Sequence, residues 1–457
     1  MSHLLPGRRR SARLHSRTHA SEEGAELPRP RSTRRSTQID FTRDGAHVNH
    51  IQPGDGATRT ASRRRSPRLH PQIHSTEEGD GMSRRRGTSP EPEPLASLPE
   101  NDDLLSEVLL RLPPQPSSLP RASAVCKRWR GIVTDRKFLG CFYTHHQKPP
   151  FFGVFRYQKS TFAFTSLLDP PDRNPPQRFS LGRYGCASVG IVVDCRHGRV
   201  LVQGMTTNEV IVCDPITSWQ HRVSLPLEFG KSPISAALLC GAREEGHVHG
   251  GCYSSPFKVV LVNMCGLRPI ASVYSSETAS WGNIISTVSP CSLCVTAYQG
   301  SLVGNALYWL QHEIDNGIGI LAFDLDEQSL AVIRGPTITL DFNRYIGQII
   351  QAENRALGLA VLSYPCLHMW QRNVIAHGVA IWLMWKTIEI HTILGLPLQI
   401  TEYSKLSGYS EDTDAIFIYV GGNVYMVQLK SMECKRLDGT HNLINFYPFT
   451  RWPYASL

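Results

Sequence analysis

Lysine is absent from the first 94 residues of this 457-residue chain, although they hold 18 Arg against 11 acidic residues. Lacking as well is any run of 18 or more uninterrupted apolar residues, which excludes a hydrophobic helical membrane span. No apolar h-region follows the arginine-rich start, so no secretory signal is expected, and a soluble, intracellular protein of the nucleus, the cytoplasm or both is. Twelve cysteines spread over the whole length make no disulfide framework; they suit a reducing compartment and read mostly as small buried hydrophobes. Catalytic signatures are missing too. There is no G-x-S-x-G elbow, no phosphate-binding G-x-x-x-x-G-K-[ST], no H-E-x-x-H and no kinase set, so the chain is not read as an enzyme. Asp324 and Asp326 in "FDLDEQS" are the nearest approach to paired carboxylates, and they fit a hairpin turn whose Asp side chains bond local backbone.

The net charge of +9 and the pI near 9.0 belong to the leader, because its residues carry +7 and the remaining body has 30 basic and 28 acidic residues. Rich in Arg, Ser, Pro, Gly and His and poor in aromatics, residues 1–94 cannot bury enough apolar surface to offset chain ordering, and disorder is expected. "RRRSARLHSRTHASEEG" from Arg8 recurs as "RRRSPRLHPQIHSTEEG" from Arg63. These arginine clusters could serve nuclear import or bind phosphates, but no folded nucleic-acid module accompanies them, so a nucleic-acid partner is not expected.

Residues 95–140 carry a compact helical signal. Asn101 can cap a helix whose N-terminus holds Asp102 and Asp103, where the backbone N–H groups and the macrodipole favour negative charge. Leu104, Leu105, Val108, Leu109 and Leu112 recur at helical spacing, and Pro113 with Pro114 stops the run. A second helix opens after Ser118 and carries Leu119, Ala122 and Val125; a third carries Cys126, Trp129, Ile132 and Val133. Three short helices hold more apolar surface than they can bury alone. Something must cover the rest.

The string "LPENDDLLSEVLLRLPP", followed by "ASAVCKRWRGIV" and Phe138-Leu139, resembles the F-box, particularly its form in grasses, with a two-residue insertion at Glu100-Asn101. That resemblance implies docking on a Skp-type adaptor and, through it, on the cullin scaffold of an SCF-type ubiquitin ligase, with this chain as the substrate receptor. It also implies that Leu98, Pro99, Leu105, Val108, Leu109 and Leu112 contact the adaptor. Leu119, Val125, Cys126 and Trp129 would extend the same apolar surface or form the small core beneath it.

From about residue 150 to the end, short β-branched and aromatic runs alternate with Gly, Pro, Asn and Asp turns, an all-β signature. Hairpins near Asp214, Ser275, Asp324, Trp385 and Lys430 recur about every 45–60 residues, as propeller blades would. Residues 151–168 could supply a sixth, degenerate blade; a β-sandwich pair is the alternative. "CRHGRVLV", "VCDPITSW" and "ILAFDLDEQSLAVI" resemble the C-terminal region of grass F-box proteins, which implies recruitment of an unidentified target protein. The expected architecture is therefore α+β and multidomain: a disordered leader (1–94), a three-helix F-box (95–140) and a propeller-like recruitment domain (150–457). A non-ligase binding module, lectin-like or nucleic-acid-associated, that uses the F-box only for assembly is the competing reading.

Two cysteine patterns bear on metals. Cys240, His247, His249 and Cys252 supply soft thiolates and imidazoles at short spacing, but this is no familiar finger, and hydrogen-bonding residues beside two strands explain them as well. Cys291 and Cys294 form a lone C-x-x-C without a second pair. No metal or cofactor is assigned from the sequence. Tyr308, Trp309, Trp370, Trp382 and Trp385 read as inter-blade core before they read as a ligand-stacking face. Arg196, Arg199, Arg222, Arg243 and Arg268 would bind a phosphorylated target only by converging.

Overall fold

A computed structural model describes residues 101–452 except 159–160, 185–189, 205, 231–233, 243–246, 253–254, 266–267, 288–292, 295–298, 314–317, 339–346, 376–378, 401 and 438–444. The leader and its duplication, with Leu98 and Pro99, lie outside the described residues.

Four helices open the described chain, one more than the three expected. They are α1 (Asp102–Leu110), α2 (Ser118–Ser123), α3 (Lys127–Thr134) and α4 (Arg136–His146). Asn101 Oδ1 accepts from Asp103 N at 2.8 Å, the cap its residue type anticipates. Cys126 caps α3, and Asp135 ends α3 and caps α4 by accepting from the N–H groups of Lys137 and Phe138. A single capping Asp thus turns the chain from α3 into α4. The i,i+4 pair Phe138 and Phe142 then faces α4 into a core with Leu105, Leu109, Leu119, Ala122 and Val133.

The rest of the described chain is antiparallel sheet. Blade 1 pairs Phe151–Gln158 with Thr161–Ser166 on one side and with the C-terminal strand Phe446–Thr450 on the other. Blade 2 runs Gly190–Arg196, Arg199–Gly204, Glu209–Cys213 and Gln220–Ser224. Blade 3 is built on Ser235–Cys240, Phe257–Cys265 and Arg268–Ser275 with two short outer pieces, and blade 4 on Ser301–Val303, Ala306–Glu313, Ile318–Asp324 and Ser329–Arg334. Blade 5 spans Gly347–Gln351 to Ala380–Glu389, and blade 6 spans Lys405–Ser410 to Cys434–Leu437.

These six sheets among the described residues close a ring, and the packing shows how. Each neighbouring pair shares its own apolar cluster. Phe155 and Phe449 meet Val192 and Val200 between blades 1 and 2, and Val210 and Val212 meet Ala236 and Val259 between blades 2 and 3. Leu239 meets Trp309 between 3 and 4, and Ile320 meets Leu359 between 4 and 5. Ile350 meets Ile416 between 5 and 6, and Phe417 meets Val154 and Phe446 between 6 and 1. Strands buried on both faces read as continuous apolar runs, and ring closure lets each sheet cover its faces on its neighbours. The propeller expectation holds and the sandwich alternative does not.

The degenerate sixth blade also has a physical explanation. Residues 151–166 supply only two strands, and the chain end adds a third in which Pro448 sits opposite Val154. Proline is tolerated there because Phe446–Thr450 pairs on one side only. Hairpins follow the third strand at Asp214, Ser275, Asp324 and Lys430 as read from the sequence. Blade 5 departs from that reading. Trp385 lies inside the strand Ala380–Glu389, which pairs with Cys366–Val374 so that Val374 stands opposite Ala380. Asp324 Oδ1 accepts from the N–H groups of Asp326 and Glu327 at 2.9 Å each, so that carboxylate serves a turn.

Candidate functional site

Among the described residues, three places bring chemistry-bearing residues together: the outer face of α1, the centre of the ring, and the seam between the helical unit and the propeller. On α1, helical periodicity splits the leucine-rich stripe into two faces. Leu105 and Leu109 point inward and are buried with Leu119 in the unit's own core, while Leu112 and Trp129 pack half-buried against it. Leu104 and Val108, one turn apart, are 57% and 54% exposed, and Val125 is 57% exposed at the start of the α2–α3 turn. Cys126 is exposed beside Val125. The surface free to meet another protein is therefore Leu104, Val108, Val125 and Cys126, and Leu105, Leu109 and Leu119 form the core beneath. Leu104 joined the stripe in the sequence but was not assigned to a contact. Its signal was its place one residue ahead of an inward-facing leucine.

An ion-pair hub occupies the ring centre. Arg196 pairs with Asp194 at 2.7 Å and with Glu411, 215 residues away, at 2.7 Å. Its guanidinium also donates to the carbonyls of Leu238 and Gly300. Asp194 accepts from Leu238 N and from Gln299 Nε2, and Glu411 accepts from Leu302 N. Blades 2, 3, 4 and 6 are thereby tied through one arginine. Burial pushes the Asp194 carboxyl upward while Arg196 pulls it down. Burial would lower the Arg196 guanidinium, but Asp194 and Glu411 more than offset it. Such a hub holds blades together. A cavity beside it is lined by Gln299, Tyr308, Gln348, Tyr409 and Glu411.

Two of the other arginines are engaged within the fold. Arg199 is buried and donates to the carbonyls of Cys252 and Ser255 at 2.6 Å, and Arg222 pairs with Glu209. Arg243 lies outside the described residues. Trp309 is fully buried, as core was expected to be, and Trp370, Trp382 and Trp385 are half-buried against inter-blade clusters. Blade 5 does present an exposed apolar edge, with Val374, Ile375, Val379, Leu383 and Met384 each between 47% and 65% exposed.

At the seam the chain's two halves interlock. Trp452 is fully buried in the helical unit's core, stacked on Tyr143 with 4.7 Å between ring centres and edge-on to Phe142 at 6.1 Å. Its indole N–H donates to the His249 carbonyl and its backbone N–H to that of Gly250, both at 3.1 Å. Gly250 has φ +96°, and a Cβ there would lie 2.8 Å from Pro149 and 3.0 Å from Trp452. "CRHGRVLV" serves the same seam. His197 (φ 55°) and Gly198 (φ 77°) make the two-residue positive-φ turn of a tight hairpin, and Gly198 leaves room for Arg451. Arg451 in turn forms a buried ion pair with Asp214.

Cys240, His247, His249 and Cys252 meet beside Trp452. His247 Nε2 lies 3.4 Å from Cys240 Sγ and 3.1 Å from Cys252 Sγ, and His249 Nδ1 lies 3.7 Å from Cys252 Sγ. A hydrogen bond with Cys252 pulls the Cys240 thiol down, and the same bond together with burial pushes Cys252 up. Cys291, of the other pair, lies outside the described residues.

Residues 97–139 match the F-box domain family. An F-box protein of Arabidopsis thaliana is 23% identical over 302 residues, covering 62% of this chain and 83% of the relative. An F-box/kelch-repeat protein of the same plant is 23% identical over 317 residues, covering 62% and 69%. Among solved structures, one in a nidogen/laminin complex aligns over 65% of this chain and 96% of its own, with a TM-score of 0.36 and 11% identity.

Proposed function

We propose that this chain is the substrate receptor of an SCF-type ubiquitin ligase, in which Leu104, Val108 and Val125 meet a Skp-type adaptor and the propeller recruits a target protein. The F-box match over residues 97–139 carries this reading, and the unpartnered apolar residues on the outer face of that helical unit support it. F-box domains are protein-interaction modules without catalysis of their own. The chain accordingly contributes position: it holds a target at a fixed distance from the ubiquitin-transfer machinery assembled on the cullin. A rigid seam suits that role, because an effective concentration at the target lysine depends on restricted geometry. The segments "CRHGRVLV" and "VCDPITSW" resemble grass-type F-box proteins, which supports that lineage for the chain, and residence in the nucleus or cytoplasm would suit the proposed partners.

Target capture tests the function. The full chain carrying Leu104→Asp and Val108→Asp retains its recruitment domain but loses the proposed adaptor face, so targets accumulate on it. A captured protein that is ubiquitinated only with adaptor, cullin and the wild-type chain supports the reading. A protein that binds but is never ubiquitinated in that system favours the assembly-only binding module.

A further inference from the structure

We propose that Cys240, His247, His249 and Cys252 bind one zinc ion, which fixes the loop of blade 3 on which Trp452 and the helical unit are seated. Four ligand atoms, Sγ of both cysteines and one ring nitrogen of each histidine, lie within 4.8 Å of one another. Tetrahedral zinc, with bonds of about 2.0 Å to nitrogen and 2.3 Å to sulfur, sets its ligand atoms about 3.3–3.8 Å apart. Three of the six separations, 3.4, 3.1 and 3.7 Å, lie in or just under that range. Two thiolates and two imidazoles complete a Cys2His2 set with no position left for water or substrate, so the ion is structural and borderline-soft, which zinc satisfies. Binding displaces the proton of each thiol to solvent, and both imidazoles bind as neutral rings.

The surroundings are those of a supported metal site. Cys240 ends the first strand of blade 3, where it pairs with Phe257, so the C-x6-H-x-H-x2-C segment fills the hairpin between the first two strands. A connection this long, with no strand or α-helix among its described residues, gains from a tie, because closing it costs chain entropy. Ala242 N donates to Cys240 Sγ at 3.4 Å, and Arg199 of blade 2 holds the carbonyl of Cys252. His197, also of blade 2, stacks on His249 with ring centres 4.1 Å apart. Outer-shell groups of this kind orient metal ligands. The ion's consequence lies at the seam: the His249 and Gly250 carbonyls that receive Trp452 belong to the ligand segment itself, and Gly251 faces Tyr143 of α4. Zinc would thereby set the angle at which the adaptor-binding unit meets the recruitment ring.

The test uses the full-length chain, purified without a tag under reducing conditions. Elemental analysis should find about one zinc per chain, lost in Cys240→Ser/Cys252→Ser and kept in a Cys434→Ser control. Should the double variant not fold, cobalt(II) added to the metal-depleted wild type decides independently: a thiolate-to-cobalt charge-transfer band with strong tetrahedral d–d absorption is expected. Depletion should also raise hydrogen exchange in α4 several-fold, and zinc should restore it. Zinc no higher in wild type than in a folded double variant, a weak octahedral cobalt spectrum, or a mass short of two hydrogens from a Cys240–Cys252 disulfide would each overturn the proposal.

Discussion

Replacing Trp452 with alanine should release the helical unit from the propeller without opening the ring. The indole is fully buried, stacked on Tyr143, edge-on to Phe142 and bonded to the His249 carbonyl. Truncating a buried Trp costs about 3–5 kcal/mol, and here the loss falls on the seam because the ring's partners are α4 and the blade 3 loop. At 1.4 kcal/mol per factor of ten, the population of undocked helices should rise roughly a hundred- to a few-thousand-fold. Native-state hydrogen exchange reads that population segment by segment. Amides of α4 and α1 should exchange faster by about the same factor, while inner strands of blades 4 and 5, remote from the seam, keep their protection. Unchanged α4 protection in the variant, or an equal loss in every blade, would refute the claim that Trp452 is the docking anchor.

Other predictions follow from buried groups. Arg196→Met removes the partner of buried Asp194 and one partner of Glu411, and should cost about 3–5 kcal/mol in urea-induced unfolding, as breaking a buried pair does. A loss under about 1 kcal/mol would show that the hub is screened like a surface pair. His146 bonds the Leu110 carbonyl at 3.0 Å, and burial lowers its pKa below the ordinary 6.5. Folding then favours the neutral ring, so this contribution is full above about pH 6.5 and fades as the pH falls through the window beneath it. Between pH 7.5 and 5.5, wild type should lose more melting temperature than His146→Phe; equal losses would remove His146 as a cause.

Much of this architecture was legible because it is local. Asn101, Asp102 and Asp103 announce α1, the paired prolines end it, and Asp214, Ser275 and Asp324 mark third-strand turns through side-chain bonds to nearby backbone N–H groups. What escaped the sequence is nonlocal or composite. The helix α4 mixes Gly140 and a His pair into its pattern, which hides the Phe138–Phe142 spacing. Pro448 argues against a strand until the strand proves to pair on one side only. Blade 5 misled because the turn near Trp385 rested on the repeat spacing, whereas "AIWLMWKTIE" is a continuous apolar run that one long outer strand fills. The Arg196–Glu411 pair spans 215 residues, and no local pattern could join them. The inward or outward sense of each leucine also needed the structure. Leu109→Arg, the obvious disruption from sequence, would place a charge in the unit's own core and unfold it, so it cannot report on adaptor contact.

Adaptor affinity of a surface variant tests the central claim most directly. The full chain with Leu104→Asp and Val108→Asp should fold as wild type does, by circular dichroism and by α4 hydrogen exchange, because both side chains are more than half exposed. Burying the exposed half of two such aliphatic side chains is worth about 1.5–3 kcal/mol, so binding to a purified Skp-type adaptor, measured by calorimetry, should weaken by about ten- to a hundredfold. A folded double variant that binds the adaptor as tightly as wild type would contradict the assignment of this face and of the receptor function built upon it.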